Sequence, residues 1–197
     1  DYHVSIERYA FAKQRLFRLP GLEHAVINTG DPVGARFAEA LAPGVTLTSV
    51  AVGGACPATQ RFIHVTRVEA AADGLALEID GHFGRRRLQS RLVGAFNAEN
   101  LAITLGLLLA WDVDVDEAFA ALARGTAPPG RMEGFRLPSG ALAIVDYAHT
   151  PDARAKVLTA VRAHATGRVL VVFGCGGDRD TGKRALMGAA AERLADR

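Results

Sequence analysis

From residue 141 onward the sequence alternates between two kinds of segment. "ALAIVDY" (141–147) and "RVLVVFG" (168–174) are short apolar runs, while "PDARAKVLTAVRAHA" (151–165) and "RALMGAAAERLA" (184–195) carry helical spacing. Strand, helix, strand, helix constrains a chain strongly. Consecutive strands joined by a helix lie parallel, and the helix must cover a face of their sheet. Two such strands are too few for a complete doubly wound sheet, so this stretch predicts only the start of a Rossmann-like α/β domain.

The residues before it predict a second kind of organisation. "SIERYAFAKQRLF" (5–17) opens a helix with Ser5 as N-cap and Glu7 in the first turn, where the helix dipole favours an acid. Ile6, Tyr9, Ala10 and Phe17 share one face of it. "HAVINTGDPVG" (24–34) predicts a short strand and a turn, and "PVGARFAEALA" (32–42) a helix with Pro32 in its first turn. From 45 to 93 the pattern is strand-like: "VTLTSVAV", "RFIHVTRVEAA", "LALEID" and "RRRLQSRLV", with turns at 72–74 and 80–84. Helices return at 97–111, capped by Asn97, and at 115–124. "GTAPPGRMEG" (125–134), with two prolines and three glycines, predicts a domain boundary. The expectation is a mixed α/β domain over 1–129, with a small antiparallel β portion, and a second domain over 130–197.

Bulk properties exclude some classes. The net charge over 197 residues is +2, with no long Lys/Arg run, so nucleic-acid binding has little electrostatic support. "LAITLGLLLAW" (101–111) is too short to cross a bilayer, and no signal-peptide pattern is seen. Two cysteines, Cys56 and Cys175, make no disulfide framework, which points to a reducing, cytoplasmic setting. Asp1 in place of Met, and a helical pattern still running in "AERLADR", predict an internal piece of a longer protein.

"FGCGGDRDTGKR" (173–184) follows a strand-like run and precedes a helical one. Gly177 to Lys183 spells G-x-x-x-x-G-K, but the Ser or Thr that would complete a phosphate loop is Arg184. Arg184 cannot ligate a cation, and Asp178 and Asp180 place negative charge where phosphates would sit. A loop carrying Asp178, Arg179, Asp180, Lys183 and Arg184 suits a small zwitterion better, with an arginine forked onto its carboxylate. A Gly-rich turn with a solvated charged face is the plain alternative.

Four other positions carry candidate chemistry. Lys13 lies four residues after Tyr9 and seven after Ile6, on the predicted apolar face. It is either a snorkelling lysine or a desolvated amine able to add carbon dioxide, giving a carbamate suited to magnesium. Asn97 and Asn100, at i and i+3 of a helix start, are either a cap and a solvated neighbour or an amide pair for an adenine edge. Asp146 and His149 in "VDYAHTPDA" (145–153) sit at the carboxyl end of a strand, where α/β sheets bind ligands. Asp146 could accept from ribose hydroxyls, or simply cap a turn. Arg131 in "GRMEG" could reach phosphates, or be a solvated linker residue.

Taken together, "DYH…YAFAKQRLF", "GAFNAEN", "GRMEGF", "VDYAHTPDA" and "FGCGGDRDTGKR" resemble, in order, the Mur ligases, and within them the branch that adds the third peptide residue of the peptidoglycan precursor. Each stretch is weak alone; the ordered set is specific and covers nearly the whole chain. The resemblance implies ATP-dependent amide formation through an acyl phosphate with Mg2+, from a UDP-muramyl dipeptide and a free amino acid (diaminopimelate or lysine). It implies a cytoplasmic monomer without membrane insertion. It also implies most of a central ATPase domain over 1–129, with the UDP-binding domain and the true phosphate loop upstream, and the start of the C-terminal domain over 130–197. Lys13 matches a lysine carbamylated to help hold magnesium, and Tyr9 its helix neighbour. Asn97 and Asn100 match an adenine-side pair, Arg131 an ATP-contacting arginine, and Asp146 and His149 the nucleotide-binding stretch of the last domain. Arg179 matches a residue that holds the incoming amino acid, with Asp178 and Lys183 beside it. Val4 and Ala185 depart from the family's usual Gly and Pro. Other ligases of the superfamily, folylpolyglutamate or cyanophycin synthetases, are the alternative enzymes. A non-catalytic binding module is the alternative of another class.

Overall fold

The computed structural model describes residues 5–71, 73–176 and 182–197. Five strands follow one another across one sheet: β1 (His24–Asn28), β2 (Thr46–Val52), β3 (Phe62–Ala71), β4 (Gly74–Gly81) and β5 (Arg86–Ser90). β1 pairs with β2 and β2 with β3, both parallel, with His24 opposite Thr46 and Ser49 opposite Phe62. α2 (Pro32–Glu39) makes the first crossover. Asp31 caps it by accepting from the Val33 and Gly34 amides, and Pro32 occupies its first turn.

Two glycines set how closely helices approach β1. A Cβ on Gly34 would overlap the Asn28 carbonyl and lie 3.4 Å from Ile27 Cγ2. A Cβ on Gly106, in α3 (Asn97–Ala110), would stand 2.6 Å from Val26 Cγ1. Val26 and Ile27 are successive strand residues and point to opposite faces. α2 and α3 therefore cover opposite faces of the sheet at β1, as a parallel sheet requires. α3 is apolar nearly all round, with Ala98, Leu101, Ala102, Leu105 and Leu109 buried, and Val50, Ile63, Val65, Leu77 and Ile79 fill the core beside it. α4 (Val115–Arg124) buries Ala118, Phe119 and Leu122 at helical spacing, and Phe119 meets Phe83 edge-on at 5.7 Å.

Chain contacts divide the molecule into two units, the first comprising residues up to 68, 77–88 and 98–122. In the second unit, β6 (Glu133–Arg136) and β7 (Leu142–Val145) form an antiparallel hairpin closed at Gly140, whose φ is +82°. α5 (Pro151–His164), capped by Thr150, packs along α6 (Gly182–Leu194).

The α/β class, with a mixed sheet and helices, is as the sequence predicts, but three local expectations are corrected. α1 (Ile6–Gln14) is capped by Ser5 as predicted, yet none of its residues is buried. Ile6 and Phe11 are exposed, while Phe17, in the following 3-10 turn, meets Phe37 of α2 with tilted rings 5.4 Å apart. β6 falls partly within the stretch assigned to a loop. Residues 168–174 form no strand. The Val171 amide donates to the Arg197 carbonyl and the Asp196 amide to Val169, so no ladder with β7 develops and Val172 is exposed.

Asp196 anchors that segment by accepting from the Val169 amide at 2.7 Å and from Arg162 at 2.9 Å. The Val169 hydrogen bond, then Arg162, holds its carboxyl below the usual carboxylate range. A carboxyl depressed by folding stabilises above its unfolded value of about 3.9, and that stabilisation is lost as pH falls through the lower folded value. Asp196→Asn should therefore melt below wild type at pH 6, with the gap closing once pH drops below about 3.9. Thermal melts of both chains across this range check it, and a gap that persists at pH 2 contradicts it.

Candidate functional site

β7 ends at Val145, and the next residue organises the site. Asp146 Oδ1 accepts from the Ala148 amide at 2.8 Å, closing a turn on itself, and Oδ2 accepts from the Met132 amide at 2.9 Å. The Tyr147 amide donates to the Gly130 carbonyl at 2.9 Å, and the Gly130 amide donates to Glu133 Oε2 at 2.9 Å. Two of these hydrogen bonds tie the "GRMEG" stretch to the turn after β7, and the other two brace each segment internally. They hold the linker in an unusual shape: Gly130 and Met132 both have positive φ, +68° and +52°. Glycine adopts this freely, whereas a methionine there is held at a cost of about 1–3 kcal/mol by its surroundings.

This scaffold gathers three of the residues singled out above. The Arg131 guanidinium lies over the Tyr147 ring, 5.4 Å from its centroid, and the Tyr147 and His149 rings are 5.1 Å apart. His149 Nδ1 donates to the Tyr147 carbonyl at 3.2 Å. Arg131, Tyr147 and His149 are exposed and Asp146 is half-buried. The surface therefore presents a cation, two rings and a carboxylate at the carboxyl end of a strand.

A further cation lies beneath it. Arg154 of α5 is 8% exposed, donates to the Ala148 carbonyl at 3.4 Å and stacks on Phe173 at 3.7 Å. Burial pushes this guanidinium below the ordinary arginine value, with Cys175 opposing. Among the described residues its Nε has no hydrogen-bond partner.

The other predicted residues stand on their own elements. Asn97 is buried at the start of α3, where its Nδ2 donates to the Val93 carbonyl at 2.8 Å and its amide to Gly94 at 2.9 Å. Asn100, one turn on, is exposed. Lys13 is exposed, with Nζ 4.7 Å from the Tyr9 ring centroid. The desolvated setting offered for Lys13 is therefore not formed by the described residues, because the face it shares with Ile6 is uncovered. Lys183 is half-buried in the first turn of α6. Asp178 and Arg179 lie outside the described residues, as do residues 1–4, 72, 177, 180 and 181. Among the described residues no group of three or more His, Cys, Asp or Glu is arranged to hold a metal ion.

Sequence reasoning missed Glu133 and Arg154 as parts of this assembly; Tyr147 was placed with Asp146 and His149 at the strand end but given no role. The Arg154–Phe173 contact had no local signal, since it depends on how the chain folds back, whereas the Gly130–Glu133 bond spans only three residues of the linker.

Residues 1–108 match the family described as Mur ligase middle domain, and residues 130–197 that described as Mur ligase, glutamate ligase domain. The UDP-N-acetylmuramoyl-L-alanyl-D-glutamate–2,6-diaminopimelate ligase of Vibrio vulnificus is 44% identical over 196 residues, and that of Ralstonia nicotianae 42% over 201. These alignments take in 100% and 99% of this chain and 39% of each relative, so the chain spans about two fifths of their length. A solved structure of a ligase of the same name superposes with a TM-score of 0.75 at 33% identity, over 98% of this chain and 39% of that one. The folylpolyglutamate synthase of Mycobacterium tuberculosis, at 23% identity and a TM-score of 0.70 over 100% of this chain and 43% of that one, shares the fold.

The scaffold role of Asp146 is directly measurable. Asp146→Ala removes the acceptor of two backbone amides and should destabilise the chain by about 1.5–3 kcal/mol, whereas Asp146→Asn, which keeps one carbonyl oxygen, should cost less. Thermal or urea melts of both variants check it; equal stability of Asp146→Ala and wild type would refute the role.

Proposed function

The chain belongs to the Mur ligase family, and from that premise we propose that it is the greater part of the central domain and the start of the C-terminal domain of an ATP-dependent ligase. This enzyme adds the third amino acid to UDP-N-acetylmuramoyl-L-alanyl-D-glutamate. The names of the relatives at 44% and 42% identity favour diaminopimelate over lysine as that amino acid. We place the domain boundary at residue 130, where the second family match begins. We also assign the enzyme to the cytoplasm as a monomer. In support, Cys56 and Cys175 are free thiols, and no described helix is long and apolar enough to cross a membrane.

The observation that carries the proposal is the Arg131–Tyr147–Asp146–His149 cluster at the end of β7. Its chemistry fits a nucleotide. An exposed guanidinium can pair with phosphate oxygens. Aromatic rings offer a stacking surface, and a carboxylate that already accepts two amides retains lone pairs for a ribose hydroxyl. On α3, Asn100 is the exposed member of the amide pair assigned to an adenine edge, while Asn97 fixes the start of the helix. Lys13 is exposed on α1, and the carbamate role is assigned to it on the family resemblance alone. As a carbamate it would be this chain's contribution to holding Mg2+.

Joining an amine to a carboxylate requires a leaving group, which ATP supplies by phosphorylating the carboxylate to an acyl phosphate, with Mg2+ offsetting the charge. The chain's own residues would bind and orient. Arg131 would draw phosphate charge, His149 and Tyr147 would bracket the nucleoside, and Arg179, with Asp178 and Lys183 beside it, would hold the incoming zwitterion so that its amine meets the acyl carbon.

Two substitutions in the full-length enzyme test this. Arg179→Ala should weaken use of the amino acid roughly ten- to a hundredfold, the value of one charge-assisted contact, with the Michaelis constant for ATP little changed. Arg179→Lys should also be impaired, since a point charge does not replace a fork. Kinetics varying each substrate in turn decide it, and a defect confined to ATP would mean that the 173–184 loop serves the nucleotide instead. Lys13→Ala should lose most activity and regain part of it with added short-chain carboxylates. Rates equal to wild type would remove Lys13 from the mechanism.

A further inference from the structure

A histidine outside the proposed site has its two ring nitrogens engaged in opposite senses. His164, the last residue of α5, is 9% exposed. Its Nδ1 lies 2.6 Å from the Ala71 carbonyl at the end of β3, and its Nε2 lies 3.0 Å from the Gly94 amide nitrogen. A carbonyl only accepts and a backbone amide only donates, so Nδ1 carries the proton and Nε2 the lone pair.

What Nε2 holds is the turn that begins α3. The Gly94 carbonyl accepts from the Asn97 amide at 2.9 Å, and the Val93 carbonyl accepts from Asn97 Nδ2 at 2.8 Å. Gly94 itself has φ +96°, and a Cβ there would meet the Phe96 ring at 2.8 Å and Ala160 Cβ at 3.3 Å. Ala160 and His164, four apart on α5, thus touch the turn from the same helix face. One bond, Gly94 amide to His164 Nε2, fixes the peptide from which Asn97 takes its position.

We infer that His164 is a positioning residue for nucleotide binding: its unprotonated Nε2 anchors the Val93–Asn97 turn, in which Asn97 fixes the start of α3, and so sets where that first turn presents Asn100. The consequence for ATP rests on the ligase function proposed above; the hydrogen-bond arrangement does not.

Two substitutions separate the ring's two bonds in the full-length enzyme. Gln places a carbonyl oxygen near the position of Nε2 and keeps an acceptor for Gly94. Asn places its amide near Nδ1, so it keeps a donor for Ala71 and loses the Gly94 acceptor. His164→Asn should raise the Michaelis constant for ATP about three- to tenfold, the worth of one buried hydrogen bond. Its constant for the amino acid should stay within about twofold of wild type, and His164→Gln should stay within about twofold for both substrates, well below the worth of that bond. Equal ATP constants in Asn, Gln and wild type, an equal rise in both variants, or an equal rise for both substrates overturns the inference. Amide exchange at Gly94 reads the same bond without catalysis, being slow in wild type and the Gln variant and faster in Asn. An enzyme inactive as a ligase but showing this exchange pattern would discard the ligase proposal and leave the bond assignment standing. Should neither variant fold, the 15N spectrum of the wild-type imidazole decides, since an Nε2–H or doubly protonated ring at neutral pH overturns the assignment.

Discussion

The first unit depends on a parallel sheet whose faces must both be covered. Parallel strands need crossovers, and crossovers bring helices onto the faces; exposed backbone and apolar surface would otherwise remain on both sides. At β1 the requirement is met by two close approaches. Gly34 lets α2 settle against Asn28 and Ile27, and Gly106 lets α3 settle against Val26 from the other side. With helices on both faces, the side chains of β2 and β3 can be apolar almost without interruption, which is how Val50, Ile63 and Val65 come to be fully buried. A larger residue at 34 or 106 would push a helix off the sheet and leave a void that neighbouring side chains fill poorly.

The candidate site stands at the end of a separate antiparallel hairpin, in the second unit. The turn after β7 is where backbone groups run out of strand partners, and Asp146 supplies an acceptor to two of the amides left over there. That carboxylate also accepts from the Met132 amide, and this bond holds Met132 at its positive φ. A linker rich in glycine and proline would by itself be mobile. Here it is pinned, and Arg131 is carried to the Tyr147 ring as a result.

Local sequence signals were enough where the physics is local. The cap at Ser5, Pro32 in the first turn of α2, the apolar run of α3 and the spacing of α4 each depend on residues within one or two turns. They failed where the outcome depends on a distant partner. The face of α1 has apolar spacing but nothing described to cover it. Residues 168–174 have strand composition, but their amides and carbonyls find Asp196 and Arg197 in place of a neighbouring strand. β6 was hidden inside a stretch whose glycines and prolines dominated the local signal. The site was legible as a set of motifs because each motif is short and ordered along the chain. That Arg131, Asp146 and His149 form one assembly was not legible, and neither was the partnership of His164 with Ala71 and Gly94, whose residues lie 93 and 70 positions away.

Burial sorts the candidate residues into two kinds of work. Asp146, Asn97, His164 and Arg154 are half-buried or buried, and each bonds the backbone of a turn. Arg131, His149, Asn100 and Lys13 are exposed side chains projecting from the elements those turns begin or end, or from a free helix face. The division has a physical basis. A buried polar group must be satisfied by the protein itself, so its bonding capacity is committed before any ligand arrives. An exposed group exchanges water for ligand at smaller cost. Arg154 is the exception that shows the rule's limit: it is buried with one nitrogen unsatisfied, and a single carbonyl and the Phe173 ring compensate the charge. A guanidinium held this way keeps its charge, so it contributes positive potential beneath the turn that presents Arg131 and His149. That potential favours an anionic ligand at the same turn without contact, because in a partly desolvated setting the screening by water is reduced.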